Sequence, residues 1–278
     1  MTPLLDVRDL HVSFPGRGLR APRVEVLRGV SLDIRPGETL GLVGESGSGK
    51  TTIGRAVLGL VPVASGTISF DGRRIDHATR RHRRRLSREL QVVFQDPYTS
   101  LNPALPVGET LAEPLIAQGV GKDAARRRIA ELLDRVRMPR TAAGRLPREF
   151  SGGQRQRIAI ARALALQPKL IVCDEPVSAL DLTTQGAVLE LLTEIQESTG
   201  VAYLFISHDL TVVRHLSHRV AVIHHGEIVE HGDTAEVTEH PRDPYTRKLL
   251  LAAPVVDPAR QRARREAFDR EFREQAVA

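Results

Sequence analysis

The alternation of apolar and polar positions opens the chain with strands. Leu4 to Phe14 and Val24 to Ile34 alternate with a period of two, and the Pro-, Gly- and Arg-rich stretch Pro15 to Arg23 separates them, which predicts a hairpin with a long connection. After the Pro36-Gly37 turn, Thr39 to Val43 is continuously apolar, like a buried strand, and Thr52 to Leu58 changes to helical spacing. Ser65 to Phe70 reads as a strand closed by the turn Asp71-Gly72; a basic helix candidate then leads to Leu90 to Gln95, a strand ending in a polar residue. From Asp96 the texture changes. Pro97, Pro103, Pro106 and Pro114 interrupt the pattern, Ala124 to Val136 carries an apolar stripe of Ile129, Leu132, Leu133 and Val136, and a long helical segment runs from Ser151 to about Leu166. Residues 96–167 therefore read as a mostly helical subdomain inserted in an α/β core. Beyond it the apolar runs Leu170 to Glu175 and Val201 to Ile206 flank an amphipathic helix, Thr183 to Ser198. Arg219 to Ile223 and Glu227 to Glu230 pair as a hairpin across His224-His225-Gly226, and the tail from Pro241 ends in a charged helix candidate, Asp257 to Glu274. Strands alternating with helices make the core an α/β fold.

The chemistry sits where these elements meet. Between the Thr39–Val43 strand and the next helix stands Gly44-Glu45-Ser46-Gly47-Ser48-Gly49-Lys50-Thr51-Thr52, a phosphate-loop pattern in the strand-to-helix setting that the motif requires. Its glycines let the backbone turn tightly and aim several N–H groups at a phosphate, and the helix end adds partial positive charge. Lys50 then reaches the β- and γ-phosphates of a nucleotide, and the Thr51 hydroxyl holds Mg²⁺. A second anion-receptive helix start lies at Ser151-Gly152-Gly153-Gln154, with Ser151 as N-cap. The run Leu170 to Glu175 delivers paired carboxylates at its carboxyl end. Asp174 binds Mg²⁺ through water or holds Thr51, and Glu175 polarises the water that attacks the γ-phosphate. Helix capping is the competing reading of such a pair, but Pro176 follows at once and a phosphate loop lies upstream. The next strand delivers Ser207-His208-Asp209, with His208 placed to hydrogen-bond a γ-phosphate. Gln95, at its own strand end, reaches either the metal or the attacking water. Phe14 either stacks on a purine or covers the core at the end of its strand.

A chain of 278 residues can bury the core of one nucleotide-binding unit with a subdomain. Its formal charge of +6 raises nucleic acid as a partner, with basic runs at Arg80 to Arg88, Arg126 to Arg128 and Arg260 to Arg273. No aromatic residue interleaves the first two runs, and seven Phe, three Tyr and no Trp in the whole chain argue against a base-stacking platform. The runs read as solvated surface, and no specific nucleic-acid partner is expected. The single cysteine, Cys173, lies in an apolar run, which excludes a disulfide framework or a cysteine-based metal site within the chain and fits a reducing, cytosolic setting. The first residues lack the regions of a secretory signal, and no apolar run reaches bilayer-spanning length, so a membrane role is expected to come through partners. His224-His225 lacks ligand spacing for a metal and reads as a solvated turn.

Taken in order, Gly44 to Thr52, Gln95 in Phe-Gln-Asp-Pro, Ser151-Gly152-Gly153-Gln154-Arg155-Gln156-Arg157, Asp174-Glu175-Pro176, Ser178-Ala179-Leu180-Asp181 and His208 resemble the ATP-binding cassette (ABC) ATPases over nearly the whole chain. Gln95 to Pro103 and the segment from His240-Pro241 to Tyr245-Thr246 resemble, more finely, the subfamily serving oligopeptide, dipeptide and nickel importers. The resemblance implies a P-loop NTPase (RecA-like) core with an N-terminal antiparallel β subdomain and the inserted helical signature subdomain. It places an ABC ATPase domain at 1–240 and a peptide-importer-type tail at 241–278. It implies ATP and Mg²⁺ as cofactors, the latter held by Thr51, Gln95 and Asp174, and ATP binding by Gly44, Glu45, Ser46, Gly47, Ser48, Gly49, Lys50, Thr51 and Thr52, with Phe14 on the adenine side. It makes Glu175 the catalytic carboxylate, Gln95 the transmission residue, His208 the γ-phosphate switch and Asp181 a contact across a head-to-tail dimer. In that dimer Ser151 to Gln154 close on the ATP of the partner subunit. The implied partners are a second cassette, identical or paralogous, two membrane permease subunits met by the region from Gln95 to Asn102, and indirectly an extracytoplasmic solute-binding protein, with the chain at the cytoplasmic face of the membrane. Two departures stand out: Phe150 where the family commonly has Leu, and the long Pro15 to Arg23 approach to the adenine side. Competing functions are a nickel importer ATPase, a subunit assisting carbon–phosphorus bond cleavage, and a soluble ABC ATPase acting on DNA or ribosomes. The last usually carries two cassettes or a long coiled coil, and neither is visible here.

Overall fold

The computed structural model describes residues 2–16, 18, 22–96, 100–252 and 262. The charged helix candidate Asp257 to Glu274 and the residues 97–99 of the finer resemblance therefore lie, Arg262 aside, outside the described residues.

Two sheets face each other. The first has the order β2-β1-β4-β5 and contains β1 (Leu5–Phe14), β2 (Val24–Ile34), β4 (Ser65–Phe70) and the two-residue β5 (Arg73–Arg74), all pairs antiparallel. The second has the order β10-β9-β3-β8-β7-β6. In it β3 (Thr39–Val43), β6 (Leu90–Val93), β7 (Leu170–Asp174), β8 (Ala202–Ser207) and β9 (Arg219–His224) run parallel, and β10 (Glu227–Asp233) closes the edge as the antiparallel arm of the expected hairpin. Successive residues of the central strands enter different cores, as the two-residue strand period requires. Leu170 and Val172 of β7, with Leu204 and Ile206 of β8, pack toward the first sheet and toward α1 (Lys50–Leu58). Ile171, Cys173, Tyr203 and Phe205 face the opposite layer of helices. A strand buried on both faces must be apolar throughout, which is why these runs show no alternation.

That opposite layer holds α3 (Val107–Ala117), α4 (Lys122–Arg135), α5 (Gly152–Leu164), α6 (Leu182–Thr199) and α7 (Leu210–Leu216). The α4 stripe behaves as its spacing predicts: Ile129, Leu132 and Leu133, with Val136 just beyond the helix, are all buried in one core. Pro114 lies inside α3 rather than ending it. The chain finishes, among the described residues, with α8 (Thr234–Glu239) and α9 (Pro244–Ala252).

The basic runs are less idle than solvated surface. From α2 (Arg80–Leu86), Arg83 donates to the Leu58 carbonyl at the end of α1 (3.3 Å) and Arg84 to the Ala117 carbonyl at the end of α3 (2.9 Å). Arg88 donates to the Gln118 carbonyl (3.0 Å), and Arg128 to the Leu164 carbonyl at the end of α5 (3.1 Å). Carbonyls at helix C-termini have no partner within the helix, and a cation there also meets the negative end of the helix dipole. These arginines therefore join α1, α3 and α5 to their neighbours.

Candidate functional site

The phosphate loop leaves β3 at Gly44 and ends at Gly49, which takes the N-cap position of α1 with φ 110°, a conformation that only glycine adopts without strain. Gly44 is needed for a different reason: a Cβ there would stand 2.3 Å from the Ile223 carbonyl oxygen. Lys50, the first residue of α1, is buried; its ammonium donates to the carbonyls of Gly44 (2.7 Å) and Glu45 (2.9 Å). Burial lowers its pKa, and the nearby carboxylates of Glu175, Asp174 and Glu45 oppose that shift.

Around this ammonium the strand ends converge. Glu175 Oε1 lies 4.0 Å from Lys50 Nζ, and Glu175 Oε2 accepts from Gln95 Nε2 (3.3 Å) and lies 3.1 Å from His208 Nδ1. Thr51 Oγ1 donates to Asp174 Oδ1 at 2.9 Å. Burial raises the Asp174 pKa, the Thr51 hydrogen bond pulls it back, and the Glu175 charge raises it further. Glu175 itself stands in the left-handed region at φ 47°, one residue past β7, with its N–H bonded to the Ile206 carbonyl (3.0 Å). Lys50, Thr51, Gln95, Asp174, Glu175 and His208, drawn from four segments of the chain, thus form one cluster at the carboxyl ends of parallel strands, where α/β sheets hold their ligands.

The other predicted residues stand apart from it. Ser151 and Gln154 form a reciprocal cap on α5: Gln154 N–H donates to Ser151 Oγ (3.3 Å) and Ser151 N–H to Gln154 Oε1 (3.0 Å). Among the described residues none of these side-chain hydrogen bonds reaches residues 44–52. Gly152 and Gly153 pack instead against Leu180 and Thr184. Asp181 caps α6, accepting from Thr184 N (3.0 Å) and Thr184 Oγ1 (2.7 Å), and the Thr184 hydroxyl is the main cause of its lowered pKa. Phe14 is half-buried at the end of β1, opposite Val24 and against the core of the first sheet. His224 departs from the solvated-turn expectation: its ring stacks on Tyr245 with centroids 3.8 Å apart.

The site suits a magnesium nucleotide. Ser48 Oγ is buried inside the loop with no hydrogen-bond partner, Gly44 leaves a cradle that a side chain would fill, and the buried lysine is a ready counter-charge for phosphate. Thr51, Asp174 and Gln95 offer hard oxygen donors. Mg²⁺ takes few protein ligands beside substrate phosphates and water, so these few donors would suffice to hold it.

The ABC transporter family model matches residues 27–178, more than half of the chain. The chain belongs to that family. It is 54% identical over 268 residues to the glutathione import ATP-binding protein GsiA of Salmonella paratyphi A, covering 95% of this chain and 43% of that protein. GsiA of Escherichia coli (strain K12) is 54% identical over 269 residues with the same coverage. The chain therefore spans less than half the length of these curated relatives. Among solved structures, cbiO1 from Clostridium perfringens, part of the ABC transporter complex cbiONQ, superposes with a TM-score of 0.76 at 27% identity, covering 86% of this chain and 92% of that one. The dimeric ABC cassette MJ0796 bound to ADP and Pi superposes with a TM-score of 0.74 at 28% identity, covering 83% of this chain and 98% of its own. The fold is the α/β P-loop NTPase fold of ABC ATPase domains, with an antiparallel and a mixed sheet. Among the described residues no helix of this ABC cassette is long and apolar enough to cross a membrane.

Proposed function

We propose that this chain is the ATP-hydrolysing subunit of an ABC importer, coupling ATP binding and hydrolysis to uptake of oligopeptides, dipeptides or a related solute. The observation that carries the reading is the convergence of Lys50, Thr51, Asp174, Glu175, Gln95 and His208 at one end of the parallel strands. Glutathione is a tripeptide, so the glutathione import of the 54%-identical relatives favours a peptide-type solute over nickel. The partners that fit are a second cassette, two permease subunits at the cytoplasmic face of the membrane, and an external solute-binding protein.

The chain's residues divide the work by position. Lys50 and amides of the Gly44 to Thr52 loop other than the Glu45 N–H bind and orient the β- and γ-phosphates. Thr51 and Asp174, already joined by a hydrogen bond, would hold Mg²⁺ with Gln95, and the ion would supply charge neutralisation on the phosphoryl oxygens. Glu175 accepts a proton from the attacking water at Oε1 or Oε2, with Gln95 and His208 orienting its carboxylate. Because the side chains of Ser151 and Gln154 bond to each other and not to this cluster, their helix end is best used on the nucleotide of a second cassette, with Asp181 close to that contact. The nucleotide-bound dimer of MJ0796 supports this arrangement.

The test is a pair of variants. Glu175→Gln keeps the phosphate cradle and should bind ATP like the wild type while turning over about 100- to 10,000-fold more slowly, the usual contribution of a general base. Lys50→Ala should lose binding as well. Glu175→Gln hydrolysing ATP at close to the wild-type rate would sink the assignment.

A further inference from the structure

The tail around Tyr245 takes no part in the mechanism above, yet it touches the phosphate loop directly. We infer that α9 is a clamp on that loop and that Tyr245 is a positioning residue for nucleotide binding, an inference that rests on the nucleotide reading of residues 44–52.

The Tyr245 hydroxyl accepts a hydrogen bond from the Glu45 N–H at 2.8 Å, although 200 residues separate the two in sequence. The ring beneath that hydroxyl is buried and held face to face by His224, at 3.8 Å and an interplanar angle of 18°. His224 ends β9, and two residues later Gly226 donates its N–H to the Ser48 carbonyl at 3.0 Å. The loop is therefore tied at Glu45 by α9 and at Ser48 by the β9–β10 turn, the two ties sharing the His224–Tyr245 stack.

The clamp has a rigid base. The Glu230 carboxylate on β10 accepts the N–H groups of Arg242 (2.8 Å) and Asp243 (3.1 Å), and Asp243 in turn accepts from the Tyr245 N–H (2.7 Å). These bonds fix the start of α9 on the central sheet and aim the tyrosine. Lys248, one turn further along, lies 3.3 Å from Glu45 Oε1, but both side chains are about half exposed and such a pair contributes little. Tyr245 is thus the side chain that matters. An ordered loop presents its amides to phosphate without first losing backbone entropy, so removing the tie should cost nucleotide affinity rather than chemistry. Coupling of this kind is reciprocal: a nucleotide that favours the ordered loop must also favour the docked helix.

Tyr245→Phe keeps the ring and its stack on His224 and removes only the acceptor. Losing one hydrogen bond of ordinary strength should raise the KM and Kd for ATP about threefold to tenfold with kcat unchanged. The melting temperature without nucleotide should stay close to that of the wild type. In the wild-type chain ATP should slow tryptic cleavage after Arg247 and Lys248, which requires local opening of α9, and in Tyr245→Phe this protection should shrink. The same titration on Lys50→Ala separates the two readings. If Lys50→Ala binds ATP as the wild type does, the nucleotide reading of the loop fails and the clamp with it. If Lys50→Ala loses binding while Tyr245→Phe matches the wild type in KM and in protection, the clamp alone is overturned. A fall in kcat with a lowered nucleotide-free melting temperature would also overturn it, by showing a merely structural tyrosine.

Discussion

Replacing Gly153 by alanine tests how closely the second glycine of the Ser151 to Gln154 segment is matched to the start of α6. A Cβ at 153 would lie 2.2 Å from Thr184 Cγ2, well inside van der Waals contact. The methyl group cannot simply rotate away, because Thr184 Oγ1 is bonded to Asp181 Oδ2 (2.7 Å) and any change of χ1 gives up that bond. Overpacking of this kind costs about 1–3 kcal/mol, and alanine recovers at most about 1 kcal/mol of helix propensity over glycine. A net loss of roughly 1–2 kcal/mol is expected. Thr184→Ser removes Cγ2 and keeps the hydroxyl, leaving the new Cβ with neighbours at 3.6 and 3.8 Å, which is ordinary contact. The double variant should therefore be no less stable than Thr184→Ser alone. Urea unfolding followed by far-UV circular dichroism would supply the four free energies of the cycle, with a coupling of at least about 1 kcal/mol expected. Additivity to within about 0.5 kcal/mol would refute the contact.

His224 carries a pH dependence whose sign follows from its surroundings. Burial and the neighbouring His225 lower its pKa below the usual 6.5, against the opposing charges of Glu45 and Asp243. The unfolded chain therefore takes up this proton first, so stability contributed by the neutral ring is complete above 6.5 and is lost as the pH falls through and below that value. His224→Phe, which preserves the stack on Tyr245, should flatten the stability profile between pH 7 and 5 (about the range where a histidine titrates), and an unchanged slope would contradict the assignment. Cys173 is fully buried and its thiol pKa is pushed up by that burial. It should ignore a thiol reagent in the native protein and react fully in denaturant; fast labelling of the folded chain would show that β7 opens more readily than its packing implies.

The phosphate loop, the paired acids and His208 were legible in the sequence because each lies within a few residues of a strand end. A buried strand announces itself by a continuous apolar run, and whatever polar residue follows is delivered to the ligand side of the sheet. Boundaries moved where the cap overrode the pattern: α1 starts at Lys50 rather than Thr52 because Gly49 supplies the cap, and β6 ends at Val93, leaving Gln95 beyond the ladder. Asp181 could have been found as a cap from its position just before the apolar spacing of α6. The Tyr245–Glu45 bond and the arginine contacts to helix ends left no comparable trace. They join residues far apart in sequence, and a run of arginines looks the same whether it faces water or a carbonyl.

The left-handed backbone at Glu175 has a consequence for how such a chain is improved. A non-glycine residue held there costs about 1–3 kcal/mol, which the Ile206 carbonyl and the Ser178 bonds to the Glu175 carbonyl offset from the surrounding framework. Glycine or asparagine would sit at that position more comfortably. If Glu175 is the proposed general base, directed evolution that rewards only resistance to heat would thus drift toward the loss of this carboxylate, enriching well-folded proteins that do no chemistry. On that proposed role selection pressure on turnover has to be kept in every round, because at this one position durability and hydrolysis would pull in opposite directions.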